Sequence, residues 1–261
     1  MSMNKDIDFL KGVFGLELEV FGATDVGCVR ELNEDAFCID PNLSEKGQGF
    51  CVLADGMGGH NAGEIASRTA VEIISQQLRI LLDSGGDEIP AAINAAIGEA
   101  NREIFDMAVR NQEQQGMGTT AVVTCIAGDE AYIANVGDSR AYAVRGEEIL
   151  QITTDHSVVA EMVAQGTISK EEARVHPQKN IITRALGTDE SVEADIFEYD
   201  FQSGDILMMC SDGLSGMMED EAIRDVCMQE TSAEQMVHRM IQCAKENGGM
   251  DNVTVLCIRF I

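Results

Sequence analysis

A chain of 261 residues with 45% hydrophobic and 24% charged side chains has the makeup of one large globular domain whose core needs no staple. Lys plus Arg number 18 against 45 for Asp plus Glu, and the resulting net charge of −27 makes nucleic acid and anionic lipid poor partners. No run approaches the ~18 apolar residues of a spanning helix. The stretch 1–11 carries Asp6 and Asp8 and reads as neither signal peptide nor anchor, and the eight cysteines lie mostly in apolar runs without a C-x-x-C pair. A reducing cytoplasm, with buried thiols, is therefore expected.

Along the chain, a strand is predicted over 48–54. Helical periodicity follows over 61–83, where Ile65, Ala66, Ala70, Ile73, Ile74, Leu78 and Leu81 recur at three and four residues. A second such segment covers 90–112 through Ile93, Ile97, Ala100, Ile104 and Met107. Strands are predicted over 120–127, 131–136 and 140–145. Gly128-Asp129 separates the first two, a hairpin signal that calls for antiparallel pairing. Residues 155–187 break the pattern. They are polar, carry turn chemistry at His156 and His176-Pro177 and a capping box from Ser169 to Glu172, and read as an inserted flap with short helices. A strand over 205–210, a short helix over 219–229, a helix over 232–245 opened by Ser232 with Gln235, and a strand over 253–258 complete the order. Strands in groups, with helices in pairs between them, argue for an α+β fold with antiparallel sheets.

What ends each strand is informative. Asp55-Gly56, Gly137-Asp138 and Asp212-Gly213 each follow a strand, whereas Asp251-Asn252 precedes one. If that last strand runs antiparallel to the others, all four carboxylates meet at one sheet edge. Like charges so placed do not all stay ionised without cations, and oxygen donors of this type select Mg²⁺ or Mn²⁺. Each Asp-Gly pair is also a common turn, so from spacing alone both readings stand. The stretch from Asp55 through Gly56, Gly58, Gly59 and His60 is not a Walker A loop, because no Gly-Lys-Ser/Thr follows.

An ordered set of motifs carries a resemblance. It comprises Thr24-Asp25-Val26-Gly27, Arg30, Asn33-Glu34-Asp35, Ala54 to His60 and Gly116 to Thr120. It continues with Asn135 to Arg140, Thr154-Asp155-His156-Ser157, Thr183 to Gly187, Ser211-Asp212-Gly213-Leu214 and Asp251-Asn252-Val253-Thr254. In these, over roughly residues 22 to 260, the chain resembles the bacterial branch of the metal-dependent serine/threonine phosphatases known as protein phosphatase type 2C. The resemblance implies an αββα sandwich, two antiparallel sheets flanked by helix pairs. Residues 1–21 would be an N-terminal extension and 22–261 the catalytic domain, with its flap at about 155–187. The implied activity is hydrolysis of phosphoserine and phosphothreonine in proteins by water activated at a binuclear Mg²⁺ or Mn²⁺ centre, by a monomeric enzyme reversing a cognate Ser/Thr kinase.

Site roles follow residue by residue from the same resemblance. Asp55 would bridge two ions, the Gly56 carbonyl would bind one of them, and Asp212 and Asp251 would complete the second ion's shell. Asp138 with Asp212 would hold a third ion. Asp35 would orient the attacking water, with Glu34 a further contributor, and Arg30 would grip the substrate phosphate. Met57 stands where many eukaryotic members have a histidine proposed to protonate the leaving group, so that proton would come from a water on the third ion or from His60. A catalytically silent domain of the same fold and a small-molecule phosphomonoesterase are the competing readings.

Overall fold

In the computed structural model, which describes residues 17–59, 62–85, 88–127 and 130–261, the described strands pair antiparallel throughout and form two sheets. The first has the order β1 (Leu18–Asp25), β11 (Val253–Phe260), β10 (Ile206–Cys210), β7 (Arg140–Arg145), β8 (Glu148–Gln151). The second has the order β2 (Asp35–Ile39), β3 (Gly49–Met57), β5 (Ala121–Ala127), β6 (Glu130–Val136), β9 (Asp195–Asp200), with β4 (Gly118–Thr119) paired to the end of β3. A short helix α1 (Asn42–Lys46) connects β2 to β3. Helices α2 (Ala62–Ser84) and α3 (Ile89–Arg110) cover the second sheet, and α7 (Asp220–Gln229) and α8 (Ala233–Glu246) cover the first. Between them in sequence lie α4 (Val158–Ala164) and α5 (Lys170–Val175) of the flap, and α6 (Asp212–Ser215), which follows β10.

The apolar runs of the sequence are explained by burial on both sheet faces. In β3, Phe50, Val52 and Ala54 pack under α2 and α3, while Cys51 and Leu53 point to the other sheet. In β10, Met208 and Cys210 face α7 and α8, while Leu207 and Met209 fill the space between the sheets. The result is the expected αββα sandwich, with three apolar layers. Small residues at Ala62, Gly63, Ala66 and Ala70 let the start of α2 lie close on β3. Among the described residues no helix is long and apolar enough to cross a membrane.

Several expectations shift in detail. Residues 18–21, set apart with the N-terminal extension, belong to β1, which pairs with β11 from Leu18↔Phe260 to Asp25↔Val253. The Gly128-Asp129 turn lies outside the described residues, as do 1–16, but the pair Ala127↔Glu130 closes the hairpin around it. The Ser169 capping box is complete, whereas Gln235 accepts from Thr231 rather than from Ser232. Cys28 is exposed, against the expectation of buried thiols, because its loop is turned outward at the sheet edge.

Candidate active site

The antiparallel strands bring the aspartates to one end of the sandwich, drawn from both sheets rather than from the edge of one. Asp35 opens β2 and Asp55 lies two residues before the end of β3, and the register pairs them directly. Asp212 begins α6 directly beyond β10, and Asp251 precedes β11, the neighbour of β10. Asp138 follows β6 in the Gly137-Asp138 turn.

Asp55 is held through its backbone, and Asp35 and Asp251 through their carboxylates. The Asp55 N–H donates to Thr120 Oγ1 (2.9 Å) and its carbonyl accepts from Thr120 N–H (2.9 Å) and Thr119 Oγ1 (2.9 Å). Thr120 Oγ1 lies 2.8 Å from Ser139 Oγ, linking this strand end to the Asp138 turn. Asp35 Oδ2 accepts from Thr254 Oγ1 (2.6 Å) and Ser211 Oγ (2.9 Å), while its buried Oδ1 has no protein partner. Asp251 Oδ1 accepts from Asn252 N–H (2.9 Å), and Oδ2 accepts from Arg30 (2.8 Å). Two glycines permit the close approach. A Cβ on Gly56 would lie 2.1 Å from Gly63 O, and one on Gly213 would lie 1.9 Å from Asn252 O.

The electrostatics show the strain of the cluster. Burial, followed by the charges of Asp35, Asp212, Asp138 and Asp251, pushes the Asp55 carboxyl well above the ordinary carboxylate range. Burial, then Asp212 and Asp251, push Asp35 up to about 7 against its two hydroxyl bonds. Burial, then Asp212 and Asp155, push Asp138 up to about 7. Asp212 rises to about 6 through burial and Asp251, opposed by Arg30, by a hydrogen bond from Asp55 and by Lys179 of the flap. Glu34 is also raised, by burial first, and packs its carboxyl on Gly63 at the start of α2, with Oε1 unpaired.

Among the described residues no three acidic, histidine or cysteine side chains stand close enough to form a ready ion cage, and Asp251 and Asp35 are turned to protein partners instead. The chemistry of the set still fits divalent ions. It is all hard oxygen, it carries more negative charge than it holds unaided, and Asp35 Oδ1 is buried with nothing to bond.

The structure thus brings together Arg30, Glu34, Asp35, Asp55, Asp138, Asp212 and Asp251. His60, one candidate proton donor, lies outside the described residues. Met57 pairs with Gly118 and packs its Sδ-methyl over that residue. His156 is structural. Its Nδ1 accepts from Gly137 N–H (3.0 Å), which places its proton on Nε2, facing Asp195 Oδ2 (3.1 Å). Sequence patterning did not single out Asn252, Ser211, Thr254, Thr120 or Lys179. The first four sit inside quoted motifs, which was the available signal; Lys179 had none beyond being a rare base.

Comparison with known proteins gives a consistent result. The pattern described as "Protein phosphatase 2C" matches residues 20–253. "Serine/threonine phosphatase stp" of Listeria monocytogenes serovar 1/2a is 40% identical over 238 residues, covering 90% of this chain and 93% of its own. The solved structure of Mycobacterium tuberculosis PstP/Ppp superposes with a TM-score of 0.83 at 35% identity, covering 93% of this chain and 98% of the other. The catalytic domain of PstP solved in complex with two manganese ions gives 0.83 at 34% identity, covering 94% and 99%.

Proposed function

The chain belongs to the protein phosphatase 2C family, and from that membership we propose how its carboxylate cluster divides the work. It is a metal-dependent serine/threonine protein phosphatase, and Mg²⁺ or Mn²⁺ is its cofactor. The observation that carries the residue assignment is the meeting of Asp55, Asp212, Asp35, Asp138 and Asp251 from both sheets at one end of the sandwich, with Arg30 beside Asp251.

In this reading Asp55, the Gly56 carbonyl, Asp212 and Asp251 hold two ions, with Glu34 contributing, and Asp138 with Asp212 holds a third. Bound there, the ions supply positive charge that polarises a water for in-line attack on phosphorus and offsets charge on the phosphoryl oxygens. Asp35 is fixed through Oδ2 by Thr254 and Ser211, which leaves Oδ1 to accept a proton or hydrogen bond from the attacking water. Arg30 offers a planar fork for two phosphate oxygens. In a chain of net charge −27, a fixed cation at the rim is also what lets a dianionic phosphate approach. Its partner, Asp251, would be one of the residues holding an ion, and a carboxylate so engaged would leave Arg30 free to turn toward phosphate. The bond from phosphorus to the seryl or threonyl oxygen breaks and one to the water oxygen forms. The products are inorganic phosphate and the free hydroxyl, whose proton comes from a group other than Met57.

The setting is part of the proposal. Free cysteines throughout the chain suit a reducing cytoplasm, and the bacterial source of the relatives suits a bacterial signalling enzyme that reverses a cognate kinase. We assign it a monomeric catalytic domain whose start moves, with β1, from the expected residue 22 to Leu18. The test is turnover of a phosphothreonine peptide against Mg²⁺ and Mn²⁺ concentration. Asp55→Asn and Asp212→Asn are expected to abolish it, and full activity in EDTA refutes the metal assignment. Preference for sugar phosphates over the peptide would favour a small-molecule phosphomonoesterase.

A further inference from the structure

Two loops form the rim beside Arg30, residues 26–34 between β1 and β2 and residues 247–252 between α8 and β11. Two of the bonds between them flank their exposed tips. Cys28 N–H donates to Gly249 O (2.7 Å), and Arg30 donates to Asp251 Oδ2 (2.8 Å). Val29 on one loop and Met250 on the other lie between the same two ties, and each is 56% exposed. Leu32, further along the first loop, is 46% exposed.

These apolar groups are presented by fixed backbone. The Asn252 side chain accepts from Glu34 N–H (2.9 Å) and donates to Val26 O (3.0 Å) and Leu32 O (2.9 Å), gripping the first loop near both its ends. Beside Met250 stands the Met217 side chain, half-buried against the core behind it. A Cβ at Gly248 would meet Met250 Cγ at 3.7 Å and the sulfurs of Met250 and Met217 each at 3.9 Å, so the two thioethers converge over that glycine. The φ of +125° at Gly248 favours glycine and keeps the spot clear.

We propose that Val29, Leu32, Met250 and Met217 form the subsite for the residue next to the phosphorylated one, and that this phosphatase favours phosphopeptides with an apolar neighbour there. The inference rests on Arg30 as the phosphate clamp. Val29 adjoins Arg30 and Met250 adjoins Asp251 in the chain, and peptide residues are spaced only about 3.5 Å apart, so a peptide whose phosphate meets Arg30 runs its adjacent residue past this rim. Clustered exposed apolar groups at the lip of a polar site mark a contact surface. Methionine thioethers adapt to the shape they meet, so the subsite selects a class, aliphatic or aromatic, and not one residue. Glu31 is exposed on the same loop, and with the net charge of −27 it repels an acidic neighbour.

The experiment compares phosphothreonine peptides carrying Leu, Gly or Glu on either side of the phosphorylated residue with para-nitrophenyl phosphate, which has no neighbour. Each is assayed on the Mn²⁺-loaded wild type and on a Val29→Ser/Met250→Ser variant. The wild type is expected to favour Leu over Gly by about tenfold in kcat/KM, with Glu lowest. The variant is expected to bring Leu and Gly within about twofold of each other while leaving aryl phosphate turnover unchanged. Equal wild-type rates on Leu and Gly peptides, or a loss on aryl phosphate that matches the loss on peptides, would overturn it. An Arg30→Ala variant with unaltered KM for aryl phosphate would instead remove the clamp from which the subsite is placed.

Discussion

Replacing Asn252 with alanine isolates one amide that holds the loop carrying Arg30. The side chain is 5% exposed and makes three hydrogen bonds, one to Glu34 N–H and one each to the carbonyls of Val26 and Leu32. At about 1 kcal/mol net per bond the loss is about 3 kcal/mol, less whatever water recovers in a partly exposed loop, so about 2–3 kcal/mol is expected. For a domain of this size that lowers the melting temperature by roughly 5–10 °C. Asp251 keeps its bond from the Asn252 backbone N–H, so Mn²⁺ affinity by calorimetry should change little. Arg30 loses its fixed position, and misplacement of a positioning group by about 1 Å costs up to about 10²-fold in rate. KM for aryl phosphate should rise more than kcat falls. Asn252→Asp provides the sharper test, because it keeps the volume and the acceptor for Glu34 N–H but turns a carboxylate on two carbonyls. Urea unfolding gives the stability and steady-state kinetics the KM. A harmless Asn252→Asp, or an Asn252→Ala that loses under about 0.5 kcal/mol with KM unaltered, would refute the argument.

Asp55→Asn should remove activity and yet raise the melting temperature in EDTA by about 3 °C, since one buried like charge is gone; an unchanged or lower value would contradict the mutual repulsion. Burial and neighbouring aspartates raise Asp35 and Asp138 to about 7 and Asp212 to about 6, so these carboxyls bind protons more tightly folded than unfolded. Stability in EDTA should therefore fall as pH rises from the ordinary carboxylate range through 7, and Mn²⁺ should flatten that slope; a rise with pH in EDTA contradicts it. Asp205, at the opposite end of β10, is opposed by burial but held below its ordinary range by Arg145 and the Gln202 N–H. Asp205→Asn should lower the melting temperature by about 3–5 °C with kcat/KM untouched, and a kinetic effect would show that the two sheet ends communicate. Ellman's reagent should find one fast thiol, Cys28, in the native chain, with the remainder reacting on unfolding.

The legible parts of this molecule were local. Periodicity at Ile93, Ile97, Ala100 and Ile104 fixed α3 to within two residues, and strand-end aspartates pointed to the site edge. The second tier of the site was not legible, because its bonds join residues far apart in sequence: Glu34 to Asn252 across 218 positions, Asp35 to Thr254 across 219 and to Ser211 across 176. A local pattern carries no information about such partners. Residues 18–21 escaped for a different reason: only Leu18 is buried there, so that end of β1 lacks the apolar run that marks β3 or β10. Cys28 misled because Gly27 and Val29 make its surroundings look apolar, while the Gly249 tie turns the loop outward.

The position of β11 ties one sheet and the site to a single strand. It slots between β1 and β10, and Asp251 and Asn252 immediately precede it. A proteolytic cut between α8 and Asp251 that freed this strand would leave facing edges of β1 and β10 unpaired. It would also carry away Asp251 and the amide that steadies Arg30, so the sheet and the cluster would fail together.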